Sequence, residues 1–137
     1  EIVEYVDSHY RTIRKKEKRA VAGLSMGGFH SLFIALNHPE KFNYVGLLSA
    51  GLNTAFLDMT RPAYKDMEAK LKNFQKEGYD LFWIACGKDD FLYQNNLDFM
   101  KTCDNIGFEY TYHESERGHI WANWRQYLLL LTPMLFR

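Results

Sequence analysis

Apolar residues along the chain switch repeatedly between helical and strand spacing. Ile2, Val6, Tyr10 and Ile13 recur at helical intervals and predict an amphipathic helix reaching about residue 15. Ala20 to Leu24 is instead a short apolar run, the pattern of a buried parallel strand. It gives way at Ser25-Met26-Gly27-Gly28 to a helix over Phe29 to Asn37, with Phe29, Leu32, Phe33 and Leu36 at helical spacing. His38-Pro39 closes that helix, because the residue before a proline is pushed out of the α region. Tyr44 to Leu48 predicts a second strand, and the weakly patterned stretch from Gly51 to Pro62 reads as a loop or lid. A helix from about Ala63 to Glu77 stops at Gly78, a third strand covers Leu81 to Cys86, and a helix from about Leu92 to Ile106 stops at Gly107. Phe108 to Tyr112 predicts the fourth strand. Trp121 to Phe136 predicts a last helix with Trp124, Tyr127, Leu128, Leu131 and Leu135 on one face. Strands alternating with helices of this length imply right-handed crossovers and a parallel α/β sheet of about four strands, covered on both faces.

Composition narrows the class. With 137 residues, 47% of them hydrophobic, the chain can fill the core of one domain, 1–137, but not two. Its 17 basic and 17 acidic side chains cancel, which argues against nucleic acid as a partner and against disorder. Apolar runs such as Tyr127 to Leu131 are far shorter than the roughly 18 residues of a membrane span. Glu1 opens the chain without a signal-peptide pattern, so any targeting segment is expected upstream or already removed. Cys86 and Cys103 form no CxxC pair and read as reduced and buried. The basic stretch from Arg11 to Arg19 reads as a solvated helix end in preference to a phosphate site.

Gly23-Leu24-Ser25-Met26-Gly27 matches G-x-S-x-G at a passage from strand to helix. Such a turn lifts the hydroxyl of Ser25 clear of the sheet and sets it at a helix N-terminus, where the Met26 N–H can stabilise an oxyanion. The competing reading is an ordinary glycine-rich turn. A serine nucleophile requires a base and a residue to orient it, in the order Ser, acid, His. Candidate acids are Asp89 and Asp90 after the third strand, and spacing does not separate them. Of five histidines, His119 sits in the loop beyond the fourth strand and is the expected base. His113 is expected to be structural, and His30, in the helix after Ser25, can line the site. No metal or cofactor is expected: His113-Glu114 lacks the second histidine of a zinc motif, position 117 being Arg117, and Gly23, Gly27 and Gly28 fit no nucleotide-binding loop.

Gly23 to Ser31, together with Asn37-His38-Pro39-Glu40-Lys41-Phe42, Gly87-Lys88-Asp89-Asp90-Phe91-Leu92 and Gly118-His119-Ile120-Trp121-Ala122-Asn123-Trp124, resembles an esterase family of α/β-hydrolases. That family includes esterase D, the mycolyltransferases and the feruloyl and acetylxylan esterases attached to xylanases. The motif around Ser25 is most similar to the xylanase-associated members of gut bacteroidetes. The resemblance implies the three-layer α/β-hydrolase sandwich, a G-x-x-D register that makes Asp90 the acid, and acyl transfer by Ser25, His119 and Asp90. It also implies a secreted or periplasmic enzyme acting on esters of plant cell-wall polysaccharide, without excluding the cytoplasm. Trp121 and Trp124 are candidates for stacking on the substrate, as are aromatics of the 51–64 loop.

The strands that precede the nucleophile strand in this family, and the loop giving the second oxyanion N–H, have no counterpart here. The chain is therefore expected to be the C-terminal portion of an esterase domain. Its exposed sheet edge is expected to invite self-association or complementation. Two alternatives stay open: an S-formylglutathione hydrolase-like esterase, and an inactive fragment serving as an interaction module.

Overall fold

A computed structural model describes residues 1–52, 58 and 60–137. The four predicted strands form one parallel sheet in the order β1-β2-β3-β4, comprising β1 (Ala20–Leu24), β2 (Tyr44–Leu48), β3 (Leu81–Gly87) and β4 (Thr111–Ser115). Helices α1 (Ile2–His9), α2 (Met26–Asn37), α3 (Met67–Glu77), α4 (Tyr93–Asn105) and α5 (Trp121–Leu131) surround it. The in-step register Val21↔Val45↔Phe82 and Gly23↔Leu47↔Ile84 sends alternate residues to opposite faces. On one face Val45, Leu47, Phe82 and Ile84 join Leu32, Leu36, Leu71, Phe74, Phe99 and Cys103 from α2, α3 and α4. On the other, Tyr44, Leu48, Trp83 and Ala85 meet Tyr127 and Leu131 of α5. Gly46 makes that second contact possible, since a Cβ there would stand 2.6 Å from Leu131 Cδ2. Both cysteines are buried and unpaired.

Several predicted boundaries move, each for a local reason. The first helix ends at His9, not near residue 15, and buries none of its residues. Beyond it Arg11–Lys15, Arg14–Lys18 and Lys15–Arg19 would be like charges four apart, which oppose a helix. Instead Arg19 pairs with Asp7, and Lys16 Nζ caps the C-terminus of α3 through the carbonyls of Glu77 and Gly78, at 3.0 and 2.6 Å.

Helix α3 starts at Met67 instead of Ala63. The preceding turn is held by Lys70, whose Nζ bonds the carbonyls of Pro62 and Ala63 and the Asn37 side chain. The fourth strand lies three residues later than predicted, because Phe108 belongs to the end of α4. Gly107 takes a left-handed φ of 67°, and the N–H groups of Gly107 and Phe108 cap the carbonyls of Asp104 and Cys103. Pro133 lacks the N–H that would continue α5, so the helix closes at Leu131 into a 3-10 turn, Thr132–Met134. Leu128, predicted on one face with Tyr127 and Leu131, is 56% exposed while those two are buried. Half of the expected 51–62 loop, at 53–57 and 59, lies outside the described residues.

Candidate active site

Parallel strands deliver their following loops to one edge of the sheet, and the sequence-predicted residues sit on those loops. Ser25 follows β1, Ser49 follows β2, Asp90 comes three residues after β3 and His119 four after β4. Three non-glycine residues at this edge have positive φ: Ser25 at 56°, Ser49 at 44° and Arg117 at 67°. L-residues adopt that region at a cost, and such strain concentrates where a side chain is aimed at a particular place.

The backbone around Ser25 is held from two sides. Its N–H donates to the Leu48 carbonyl at 2.9 Å, and its carbonyl accepts from Gly51 and Phe29 at 3.0 and 3.2 Å. The turn needs glycine at two places: a Cβ on Gly23 would lie 2.1 Å from the Gly27 carbonyl group, and one on Gly28 would lie 2.5 Å from Ala50 Cβ. Gly27, the last glycine of G-x-S-x-G, has open space around its missing Cβ among the described residues. Met26 opens α2, so its N–H is one of those with no acceptor inside the helix. Its side chain is 69% exposed.

Asp90 and His119 are joined. His119 Nδ1 lies 2.9 Å from Asp90 Oδ2 and 3.1 Å from Oδ1, and the Asp90 side chain is fully buried while His119 is 19% exposed. Oδ1 also accepts the Leu92 N–H at 2.9 Å, an Asx turn opening α4. Asp89, by contrast, is exposed, and its N–H is spent on the Arg117 carbonyl. The His119 ring is packed between Phe91 and Trp124, with centroids 4.7 and 4.9 Å away. Trp124 reaches across the sheet edge, its indole N–H donating to Ser49 Oγ at 3.3 Å. Neither Ser25 Oγ nor His119 Nε2 has a hydrogen-bond partner among the described residues, so Ser25 and His119 share an edge of the sheet without being joined as Asp90 and His119 are. Beneath them burial pushes the Cys86 thiol up to about 12, so it stays protonated.

The other predicted residues divide. Trp121 is 67% exposed and meets Trp124 edge-on at 5.3 Å, beside the histidine. His30 is not brought to the Asp90–His119 pair. It lines a separate groove of about 300 Å³ with Phe33, Ile34, His38 and Tyr64, the only described aromatic of the 51–64 loop. His113 is packed in β4 against Trp83 and Tyr127. Phe91 and Asn123 lie within the stretches that carry the family resemblance, yet the sequence assigns neither a role. The first could have been noticed as an apolar residue directly after the acid, but nothing in local pattern marks the second. Among the described residues no group of three or more His, Cys, Asp or Glu side chains could hold a metal, and no helix is long and apolar enough to cross a membrane.

Comparison with known proteins sets the chain among esterases. The chain is 29% identical to an acetyl esterase of Caldicellulosiruptor saccharolyticus over 93% of its own length and 58% of the relative's. A 51-residue stretch, 37% of the chain and 7% of the relative, is 47% identical to an endo-1,4-beta-xylanase/feruloyl esterase of Xylanibacter ruminicola. Among solved structures, S-formylglutathione hydrolase of Staphylococcus aureus superimposes with a TM-score of 0.78 at 28% identity, over 97% of this chain and 57% of that one. The chain thus spans well under two thirds of these relatives. The family described as "Putative esterase" matches residues 1–134, and on that match, with a parallel sheet and strand-end loops of the same α/β-hydrolase design, the chain belongs to it.

Proposed function

We propose that this chain carries the nucleophile, base and acid of a carboxylic-ester hydrolase that works through an acyl-enzyme. The observation that carries the reading is the buried Asp90 carboxylate on His119 Nδ1, at the same sheet edge as Ser25 on its strained turn. A carboxylate there favours the tautomer with its proton on Nδ1 and leaves Nε2 as the base. Ser25 Oγ then attacks the ester carbonyl carbon while Nε2 takes its proton. The Met26 N–H donates to the oxyanion, and Asp90 stabilises the imidazolium. Collapse breaks the ester C–O bond, and the alcohol leaves with the proton from Nε2. Water repeats the sequence on the acyl-serine, releasing the acid and restoring Ser25.

The substrate we favour is a feruloyl or acetyl ester of plant cell-wall polysaccharide, in line with the names of the two sequence relatives, and an insoluble polysaccharide of that kind would be met outside the cytoplasm. Because His119 hands its proton to the departing oxygen, the aromatic groups beside it, Phe91, Trp121 and Trp124, would face the alcohol half of the ester. Flat rings suit the apolar faces of a sugar. Thioester hydrolysis in the cytoplasm is the second reading, favoured by the likeness to S-formylglutathione hydrolase along almost the whole chain.

One experiment addresses both. The intact protein is assayed on methyl ferulate, acetylated xylan and S-formylglutathione, alongside Ser25→Ala and with fluorophosphonate labelling of the serine. Turnover of the oxygen esters that vanishes in Ser25→Ala, with label on Ser25, is expected. Preference for S-formylglutathione would transfer the assignment to the second reading. Full activity in Ser25→Ala would refute Ser25 as the nucleophile, and an unlabelled Ser25 without turnover would leave an interaction module.

A further inference from the structure

Asn123 stands at the third position of α5 and is 3% exposed, a buried polar side chain whose role no motif announces. Its Nδ2 donates two hydrogen bonds into the loop leading to His119, to the carbonyls of Glu116 at 2.9 Å and Gly118 at 3.0 Å. The carbonyls that alternate with these go to the acid loop: Ser115 accepts from the Lys88 N–H at 2.8 Å, and Arg117 from the Asp89 N–H at 3.1 Å. Four successive carbonyls therefore alternate between the loop that carries Asp90 and one asparagine amide. The three segments converge on Gly87, where an added Cβ would stand 2.1 Å from the Arg117 carbonyl oxygen and 2.7 Å from Asn123 Nδ2. Arg117 turns through left-handed φ to make the fit.

We propose that Asn123 is a positioning residue for ester hydrolysis: its amide clasps one side of residues 115–118 while the acid loop holds the other, so that His119 meets Asp90 in register. This rests on the reading of Ser25, His119 and Asp90 given above. The chemistry is specific to a short primary amide, which presents two N–H donors from one nitrogen. Aspartate of the same shape presents none when ionised and would face two carbonyl oxygens. The Gly118 carbonyl keeps a second donor, the Ile120 N–H at 2.9 Å, whereas the Glu116 carbonyl has no other among the described residues. Removing the amide thus frees one anchor of the histidine loop while the acid loop stays in place. A shift of the ring on the scale of an ångström suffices to misalign a base with its nucleophile.

The test compares the intact wild-type protein with Asn123→Asp, Asn123→Leu and Asn123→Ser, and with Cys103→Ala as a destabilised control in the buried face of α4. Each is read for the fluorophosphonate labelling rate of Ser25, kcat and KM on p-nitrophenyl acetate, and the midpoint of the acid limb of kcat/KM. Asn123→Asp and Asn123→Leu should label and turn over about a hundredfold more slowly, with KM within about twofold of wild type. In Asn123→Leu the acid limb should move to lower pH, because an imidazolium that loses its carboxylate gives up its proton more readily, whereas Asn123→Asp sets a new anion in the histidine loop and is read by labelling rate and turnover. Cys103→Ala should lower the melting temperature and leave the limb in place. Should the first two variants fail to fold, Asn123→Ser, which keeps one hydroxyl donor, should show the same changes in smaller measure. Asn123 variants that lose stability yet keep the wild-type labelling rate and acid limb would overturn the proposal alone. A wild-type Ser25 that takes no label would overturn the underlying reading as well.

Discussion

Exchanging Asp90 for Asn changes one atom in a site where that atom decides a tautomer. The carboxylate is fully buried, lies 2.9 and 3.1 Å from His119 Nδ1, and takes the Leu92 N–H at 2.9 Å on Oδ1. In Asp90→Asn the amide oxygen can keep the Leu92 bond, which leaves the NH2 group pointing at His119. Nδ1 must then accept instead of donate, the proton moves to Nε2, and the ring can no longer take a proton from Ser25. The same exchange in a serine-protease triad lowers kcat by about 10⁴, which corresponds to about 5 kcal/mol of transition-state stabilisation. We expect a loss of that order, with the melting temperature little altered because the packing volume is kept. Asp89→Asn is the internal control. Its side chain is exposed and its backbone bond to Arg117 survives, so kcat should stay within about threefold, the scale of surface substitutions. The assay is steady-state hydrolysis of an aryl ester by the intact protein, with thermal unfolding in parallel. Retention of more than about a tenth of kcat in Asp90→Asn, or an equal loss in Asp89→Asn, would refute the tautomer argument.

Two further outcomes are expected. The glycines of the serine turn should not be equivalent: Gly23→Ala forces a Cβ against backbone 2.1 Å away and should lower the melting temperature by about 10 °C, while Gly27→Ala meets nothing and should gain about 0.5–1 kcal/mol of helix propensity. Equal effects in thermal melts would contradict this account of the turn. Among the described residues strand β1 pairs with β2 on one side only, and the N-terminal segment before it leaves Ile2, Tyr10 and Ile13 largely exposed. Size-exclusion chromatography of the 137-residue chain should therefore show concentration-dependent self-association, and a monomer at every concentration would sink that expectation.

The strand runs were legible because each carries its own evidence: Tyr44 to Leu48 and Leu81 to Gly87 are apolar throughout and buried on both faces, as central parallel strands must be. Errors arose where apolar residues serve an end instead of an element. Phe108 closes a helix cap, and Leu135 lies beyond a proline. Ser25 and the order serine, acid, histidine were likewise visible, since a strand-to-helix turn flanked by glycine is a local signature.

Local pattern along the chain therefore carries the alternation of elements and the residue types collected at one end of the strands. Which side chains meet depends on how the strands and their loops come together. Asp89 and Asp90 are adjacent and chemically identical, and burial sends one to His119 and the other to solvent. His30, five residues after Ser25, is carried by the turn of its helix into a different groove. Asn123 acquires its place from carbonyls that become neighbours when two strand-end loops close on each other. The reason is physical: spacing along a chain reports the periodicity of local backbone, whereas a hydrogen bond between loops depends on the register of strands that are distant in sequence.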